Sequence, residues 1–251
     1  MCLQKADREL MLENETLEDL QTGGIVLLQK KDGFRFGVDA VLLADFAKDF
    51  RTQEVLDLCT GGGIIPMLLS AKTDAKRICG LEIQQEVYEM ACRSVRLNEL
   101  SDKVQIACGD LKKAAEIYGK RSFGLITCNP PYMPAGKGIK NELDTKIIAR
   151  HEVLCTLEDV IAASAQVLKQ QGHLMLVHKP SRLVDIMCLM RKYDIELKRV
   201  RFIHKKTGTE PSLILVDGAY KGGSELRIMP PLYLYNDDGS ETDELKRIYG
   251  R

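Results

Sequence analysis

The chain has 251 residues, 45% hydrophobic and 29% charged, the balance of one large α/β domain or two small ones and not of a disordered chain. Lysine plus arginine and aspartate plus glutamate number 36 each, which excludes a broad polycationic nucleic-acid coat but permits a local basic patch. No apolar run approaches the roughly 20 residues of a membrane helix, and Met1 to Glu9 lacks the basic-then-apolar order of a signal peptide, so no membrane attachment and a cytoplasmic location are expected.

Residues 1–20 are mostly polar. Ile25 to Leu28, Lys30-Lys31-Asp32-Gly33 and Phe34 to Phe36 read as two short strands around an Asp-Gly turn. A helix follows from Asp39, which is placed to N-cap it, with Val41, Leu42, Ala44 and Phe46 on its apolar face. From residue 53 the pattern becomes strand–helix alternation. Strand signals run over 54–58, 77–81, 104–107, 123–128 and 172–177. Between them, Val87, Met90, Ala91, Ser94 and Val95 share one helical face, as do Leu157, Val160, Ile161, Ser164, Ala165 and Leu168. Short apolar strands alternating with amphipathic helices predict a doubly wound, mostly parallel sheet covered on both faces. Glu196 to His204 and Leu213 to Val216 have no helix between them and predict an antiparallel last strand pair at one sheet edge. The simplest organisation is an N-terminal hairpin-and-helix extension over 1–50 packed on a core domain over 51–251, taken as a monomer.

Eight cysteines are scattered without a C-x-x-C pair, so neither a zinc site nor a disulfide framework is expected. Cys59, Cys79, Cys108 and Cys128 read as small buried hydrophobes in a reducing compartment.

The first core strand ends in Asp57-Leu58-Cys59-Thr60-Gly61-Gly62-Gly63 and enters a helix over Ile64 to Lys72. Consecutive glycines there let the backbone approach a ligand. Glu82 closes the next strand, where nucleotide-binding sheets place an acid on ribose hydroxyls, and Asp110 closes the third. The run is not G-x-G-x-x-G, and Asp57 just before the turn would repel a diphosphate but attract an amino group; its plain alternative is a hydrogen-bonder to loop N–H groups. Asn129-Pro130-Pro131-Tyr132 follows the strand 123–128. Two prolines cannot continue a sheet, so a polar amide, free carbonyls and an aromatic ring gather at a strand's C-terminal end. The Asn129 side-chain oxygen and the Pro130 carbonyl can accept the two hydrogens of a planar NH2, and Tyr132 can stack on the attached π-system. The plain alternative is a strand-ending turn. Residues 133–147 form a long polar loop, a length that often marks a lid.

Asp57 to Gly63, Glu82, Asp110 and Asn129 to Tyr132 resemble, in that order, the motifs of a class I, Rossmann-like, S-adenosylmethionine-dependent methyltransferase of the amino-methylating type, whose sheet has seven strands. Phe34 to Ala44, Ala149-Arg150-His151-Glu152, Pro230-Pro231-Leu232-Tyr233, Thr242-Asp243-Glu244-Leu245 and Ile248-Tyr249-Gly250 extend the similarity to the bacterial family that methylates N6 of an adenine in the anticodon loop of valine tRNA. One departure is Cys59, where the class pattern has glycine; Gly61 and Gly63 keep the other glycine positions. The resemblance implies S-adenosylmethionine as cofactor, with Glu82 on the ribose, Asp110 on the adenine amine, the Gly61–Gly63 turn beneath the methionine part, Asp57 near its amine, and Asp39, Cys59 and Asn129 bordering it. It implies Asn129, Pro130 and Tyr132 as the catalytic group and tRNA as substrate, with no metal.

For the RNA, Arg199 and Arg201 share a strand face and Lys205-Lys206 opens the next loop. Those four could grip phosphates, or they could be a solvated edge strand protected by its charges. Arg150 flanks the polar loop and is a further candidate. The tetrapeptide also serves enzymes that methylate a glutamine amide in translation release factors, or DNA adenines. Release-factor enzymes usually carry a helical N-terminal domain, DNA enzymes usually carry a separate target-recognition domain, and guanine-amine methylators more often have Phe in the Tyr132 position. A catalytically idle RNA-binding module on the same scaffold is the alternative from another class.

Overall fold

The computed structural model describes residues 10–31, 37–130 and 155–251. A nine-stranded sheet forms the centre. Its core strands are β3 (Glu54–Leu58), β4 (Arg77–Glu82), β5 (Val104–Cys108), β6 (Phe123–Cys128), β7 (Leu168–His178), β8 (Ile195–His204) and β9 (Pro211–Tyr220). The strand order is β5-β4-β3-β6-β7-β9-β8, with two-residue strands β10 (Arg227–Ile228) and β11 (Leu232–Tyr233) both beside β8. Those short strands raise the count from the expected seven to nine. All neighbours are parallel except β9, which runs antiparallel to both β7 and β8. The expected antiparallel last pair therefore exists. It does not sit bare at the edge: β9 inserts between β7 and β8, and β10 and β11 cover β8.

The strand residues alternate between two cores, as a sheet covered on both faces requires. Val55, Ile78, Leu125, Met175 and Leu213 point to one core, with α1 (Val38–Ala47), α2 (Ile64–Lys72) and α7 (Asp243–Tyr249). Their neighbours Leu56, Cys79, Ile126, Leu176 and Ile214 point to the other, with α4 (Ala114–Tyr118), α5 (Leu157–Val167) and α6 (Leu183–Lys192). α3 (Gln85–Leu97) buries Met90, Ala91, Ser94 and Val95, as its periodicity predicts. α5 starts at a capping box between Thr156 and Asp159, which fixes its entry.

At the N-terminus the structure shows a strand the sequence did not announce and corrects one expectation. The hairpin is β1 (Glu15–Asp19) with β2 (Val26–Lys30), turning through Gln21-Thr22-Gly23-Gly24. Gly23 and Gly24 supply the positive φ values, 60° and 71°, that the turn needs. The proposed Asp32-Gly33 turn and Phe34 to Phe36 lie outside the described residues. β1 escaped the sequence reading because Glu-Thr-Leu-Glu-Asp is polar. Its stability comes from α3: Arg93 makes a bidentate pair with the buried Glu15, both contacts at 2.6 Å. Asn98 Oδ1 accepts from Val26 N at 2.8 Å, and Ser94 Oγ accepts from Leu28 N at 3.1 Å. The correction concerns Asp39. Gly37 is the N-cap of α1 and Asp39 lies in the first turn, where a carboxylate favours the helix dipole.

Arg93→Ala leaves the Glu15 carboxylate buried without its partner. Removing one member of such a pair costs about 3 kcal/mol. Urea unfolding of the variant is expected to shift by that amount; an unchanged midpoint would contradict this docking of the hairpin.

Candidate active site

The strand order reverses its winding between β3 and β6, so a crevice opens there at the C-terminal ends of the strands. The register pairs Leu58 with Cys128 across β3 and β6. The turn after β3 therefore begins beside Asn129-Pro130. On the other side of β3, the register pairs Leu58 with Leu81, and Glu82 with Cys108, which brings the ends of β4 and β5 alongside.

The turn is held to β4 twice. Thr60 N donates to Leu81 O at 3.1 Å, and Gly61 N donates to Glu82 Oε2 at 2.9 Å. Glu82 Oε1 also accepts from Gln84 N at 3.0 Å. The Glu82 carboxylate is thus fixed in orientation although it is only 4% exposed. Gly61 has φ +55°, and a side chain there would meet nothing within 4 Å, so open space lies over the turn. Gly63, at φ +81°, N-caps α2. Asp110 caps the short helical turn 111–113, its Oδ1 accepting from Lys112 N at 2.9 Å, and remains partly exposed at the end of β5. A fixed acid, open space above glycine and a second acid one strand further fit a nucleoside lying across β3, β4 and β5.

Asp57 is fully buried. Its Oδ1 accepts from Thr127 Oγ1 at 2.6 Å, whereas Oδ2 and Thr60 Oγ1 are buried with no hydrogen-bond partner among the described residues. Burial raises its pKa to about 7, against the lowering by the Thr127 and Thr60 hydroxyls, and the nearby negative Glu82 raises it further. A buried carboxyl near its midpoint is suited to receive an ammonium. Thr127 is a participant that sequence reading missed; a threonine within an apolar strand gives no sign of its partner 70 residues away.

Asp39 sits in the first turn of α1, its carboxyl pushed up by burial and drawn down by the charge of Lys179, which follows β7. Asn129 is half-buried and Pro130 buried at the end of β6. Tyr132, Arg150 and the 133–147 loop lie outside the described residues. Cys59 adopts φ +56°, the left-handed region for which the class pattern supplies glycine.

The basic run divides. Arg199 Nε donates to the buried Asp217 at 2.6 Å and its guanidinium lies 4.6 Å from the Phe46 ring. His173 joins the same carboxylate at 2.5 Å. Arg201 bonds Glu244 at 2.6 Å and the Pro230 carbonyl at 3.0 Å. Both arginines tie β8 to other elements. Lys205 and Lys206 are exposed at the end of β8. β8 is parallel to β7 through the antiparallel β9, so these lysines share the sheet edge that carries Asn129. Among the described residues no cluster of His, Cys, Asp and Glu is built to hold a metal ion, and no helix is long and apolar enough to cross a membrane.

The Asp57 carboxyl gives a pH prediction. Its folded pKa lies above the ordinary carboxylate value, so the stability linked to it is present at pH 4 and is lost as pH rises through about 7. Asp57→Asn is expected to flatten the decline in ligand-free stability between pH 5 and 8, read from thermal unfolding. At pH 6, binding of a ligand ammonium beside Asp57 expels about half a proton or more, measurable by calorimetry in buffers of different ionisation enthalpy. Absence of proton release in the wild type would place the ammonium elsewhere.

Comparison with known proteins agrees with this geometry. The family described as "Methyltransferase small domain" matches residues 36–193. A Porphyromonas gingivalis protein named tRNA1(Val) (adenine(37)-N6)-methyltransferase is 30% identical over 187 residues, 72% of this chain and 72% of that relative. A protein of the same name from Phocaeicola vulgatus is 25% identical over 72% of this chain and 75% of its own. Among solved structures, a "predicted O-methyltransferase" from Agrobacterium tumefaciens superposes with TM-score 0.68 at 21% identity, covering 84% of this chain and 95% of that one. The M. jannaschii protein TYW2, solved with AdoMet, gives 0.55 at 14% identity, covering 83% and 86%. With the sheet topology and the family match in agreement, the chain belongs to the methyltransferase small domain family and is an S-adenosylmethionine-dependent methyltransferase.

Proposed function

We propose that this protein methylates the exocyclic N6 of adenine 37 in the anticodon loop of a valine tRNA. The observation that carries the reading is the register of β3 with β6, which sets Asn129 and Pro130 beside the glycine turn that receives the cofactor. S-adenosylmethionine supplies an electrophilic methyl group on its sulfonium. The chain's residues position the two partners. Glu82 takes the ribose hydroxyls and Asp110 the adenine amine of the cofactor. Gly61 clears the floor under the methionine part and Gly63 turns the chain into α2 beside it, Asp57 faces its ammonium, and Asp39, Cys59 and Asn129 border it.

The target nitrogen is a poor nucleophile because its lone pair is delocalised into the ring. Asn129 Oδ1 and the Pro130 carbonyl accept its two hydrogens, turn the lone pair toward the methyl group and stabilise the positive charge that develops on nitrogen. Tyr132 stacks on the base. No dedicated base is needed, since the nitrogen becomes acidic once methylated and its proton passes to water. A loop adenine is unstacked more readily than one in a duplex. Lys205 and Lys206, with Arg150, contact phosphates. Arg199 and Arg201 serve the same surface chiefly by holding β8 in place. Residues 1–50 act as an extension of the 51–251 catalytic domain, and the enzyme works in the cytoplasm.

Asn129→Ala is expected to lower turnover on unmodified valine tRNA by roughly 10²–10³, the usual loss for a donor or acceptor aimed at transition-state charge. Cofactor affinity by calorimetry should stay within about twofold, since Asn129 acts on the methyl acceptor. Full activity in the variant would overturn the proposed NH2 clamp.

A further inference from the structure

We propose that Cys59 and Cys155 form a thiol pair that two-electron oxidants, specifically hydroperoxides, convert into a disulfide that switches off cofactor binding. The two sulfurs lie 3.8 Å apart although 96 residues separate them in sequence. Cys59 is in the cofactor turn itself, between Leu58 of β3 and Thr60, whose N–H is tied to β4. Cys155 immediately precedes the Thr156 capping box of α5. A third sulfur, Cys128, ends β6 and interacts with Cys59. Cys59 and Cys155 are partly exposed, so a molecule the size of hydrogen peroxide can reach them, whereas Cys128 is fully buried.

The backbone at Cys59 supports a role for the thiol. At φ +56° glycine carries no steric cost, and a cysteine there is held in a sparsely populated conformation. The proposed methyl transfer makes no use of that sulfur, and its polar contacts are with the sulfurs of Cys155 and Cys128.

The step balances. One thiol, as thiolate, attacks the peroxide oxygen; the O–O bond breaks, and with one proton a sulfenic acid and a first water result. The second thiol displaces the sulfenic oxygen as a second water, forming the S–S bond. Both S–H bonds are lost, the two sulfurs together give up two electrons, and the peroxide takes them. Hydrogen bonding to Cys128 pushes the Cys59 thiol up, and hydrogen bonding to Cys59 does the same to Cys155, so the reaction quickens toward alkaline pH. A disulfide bond is about 2.05 Å long, so the sulfurs must approach by about 1.8 Å. α5 is held by its cap and by its buried face, so the glycine turn yields. Its Gly61 N–H then leaves the Glu82 carboxylate, and the ribose acceptor loses its orientation.

The test uses the full chain at pH 8 with hydrogen peroxide, followed by alkylation, digestion and mass mapping, with S-adenosylmethionine affinity measured by calorimetry. The expected result is a peptide linking Cys59 to Cys155 and an affinity loss of about tenfold or more, as an ångström-scale displacement in a site produces. Dithiothreitol restores it. Cys155→Ser binds cofactor like the wild type before treatment and keeps its affinity after it. A link from Cys59 to Cys128, no linked peptide, or an equal loss in Cys155→Ser would each overturn the proposal. Because the readouts are a covalent link and cofactor binding, none depends on the identity of the methyl acceptor.

Discussion

The hydrogen bond from the Gly61 N–H to the Glu82 carboxylate is the interaction on which the site depends. It joins the glycine turn after β3 to the acid at the end of β4, so two pieces of the candidate site are positioned relative to each other. The same contact holds a buried carboxylate in one orientation before any ligand arrives, and ordering of the acid is then not a cost of binding. At Gly61, with φ +55°, the face above the turn stays open, because a side chain there would meet nothing within 4 Å.

Parallel register carries this order across the switch point. Leu58 pairs with Leu81 on one side and with Cys128 on the other. The acids Glu82 and Asp110 consequently fall on one flank of the turn and Asn129-Pro130 on the other. In the proposed function, donor and acceptor of the methyl group are each served by a separate half of the sheet edge, with the turn as the boundary. Asp57, buried beneath it and bonded to Thr127 of β6, links the halves from below.

Much of this was legible in the sequence because strand periodicity and strand-ending residues are local signals. The runs around Val55, Ile78 and Leu125 alternate between two cores as parallel strands must. Pro130 announces a strand end by its missing N–H alone. What stayed hidden depends on distant partners. β1 is polar and could not be read as a strand without Arg93, 78 residues away from Glu15. Arg199 and Arg201 read equally as an RNA grip or a solvated edge strand, and the sequence does not display Asp217 or Glu244 beside them. The proximity of Cys59 and Cys155 is a product of the fold, and no spacing rule for cysteines predicts it.

The most direct measurement incubates the protein with labelled S-adenosylmethionine and unmodified tRNA, digests the product to nucleosides and separates them. The account predicts a labelled N6-methyladenosine peak that disappears when adenine 37 of the valine tRNA is replaced by another base. Cofactor binding without label in any tRNA nucleoside, or label in a protein glutamine instead, would contradict it.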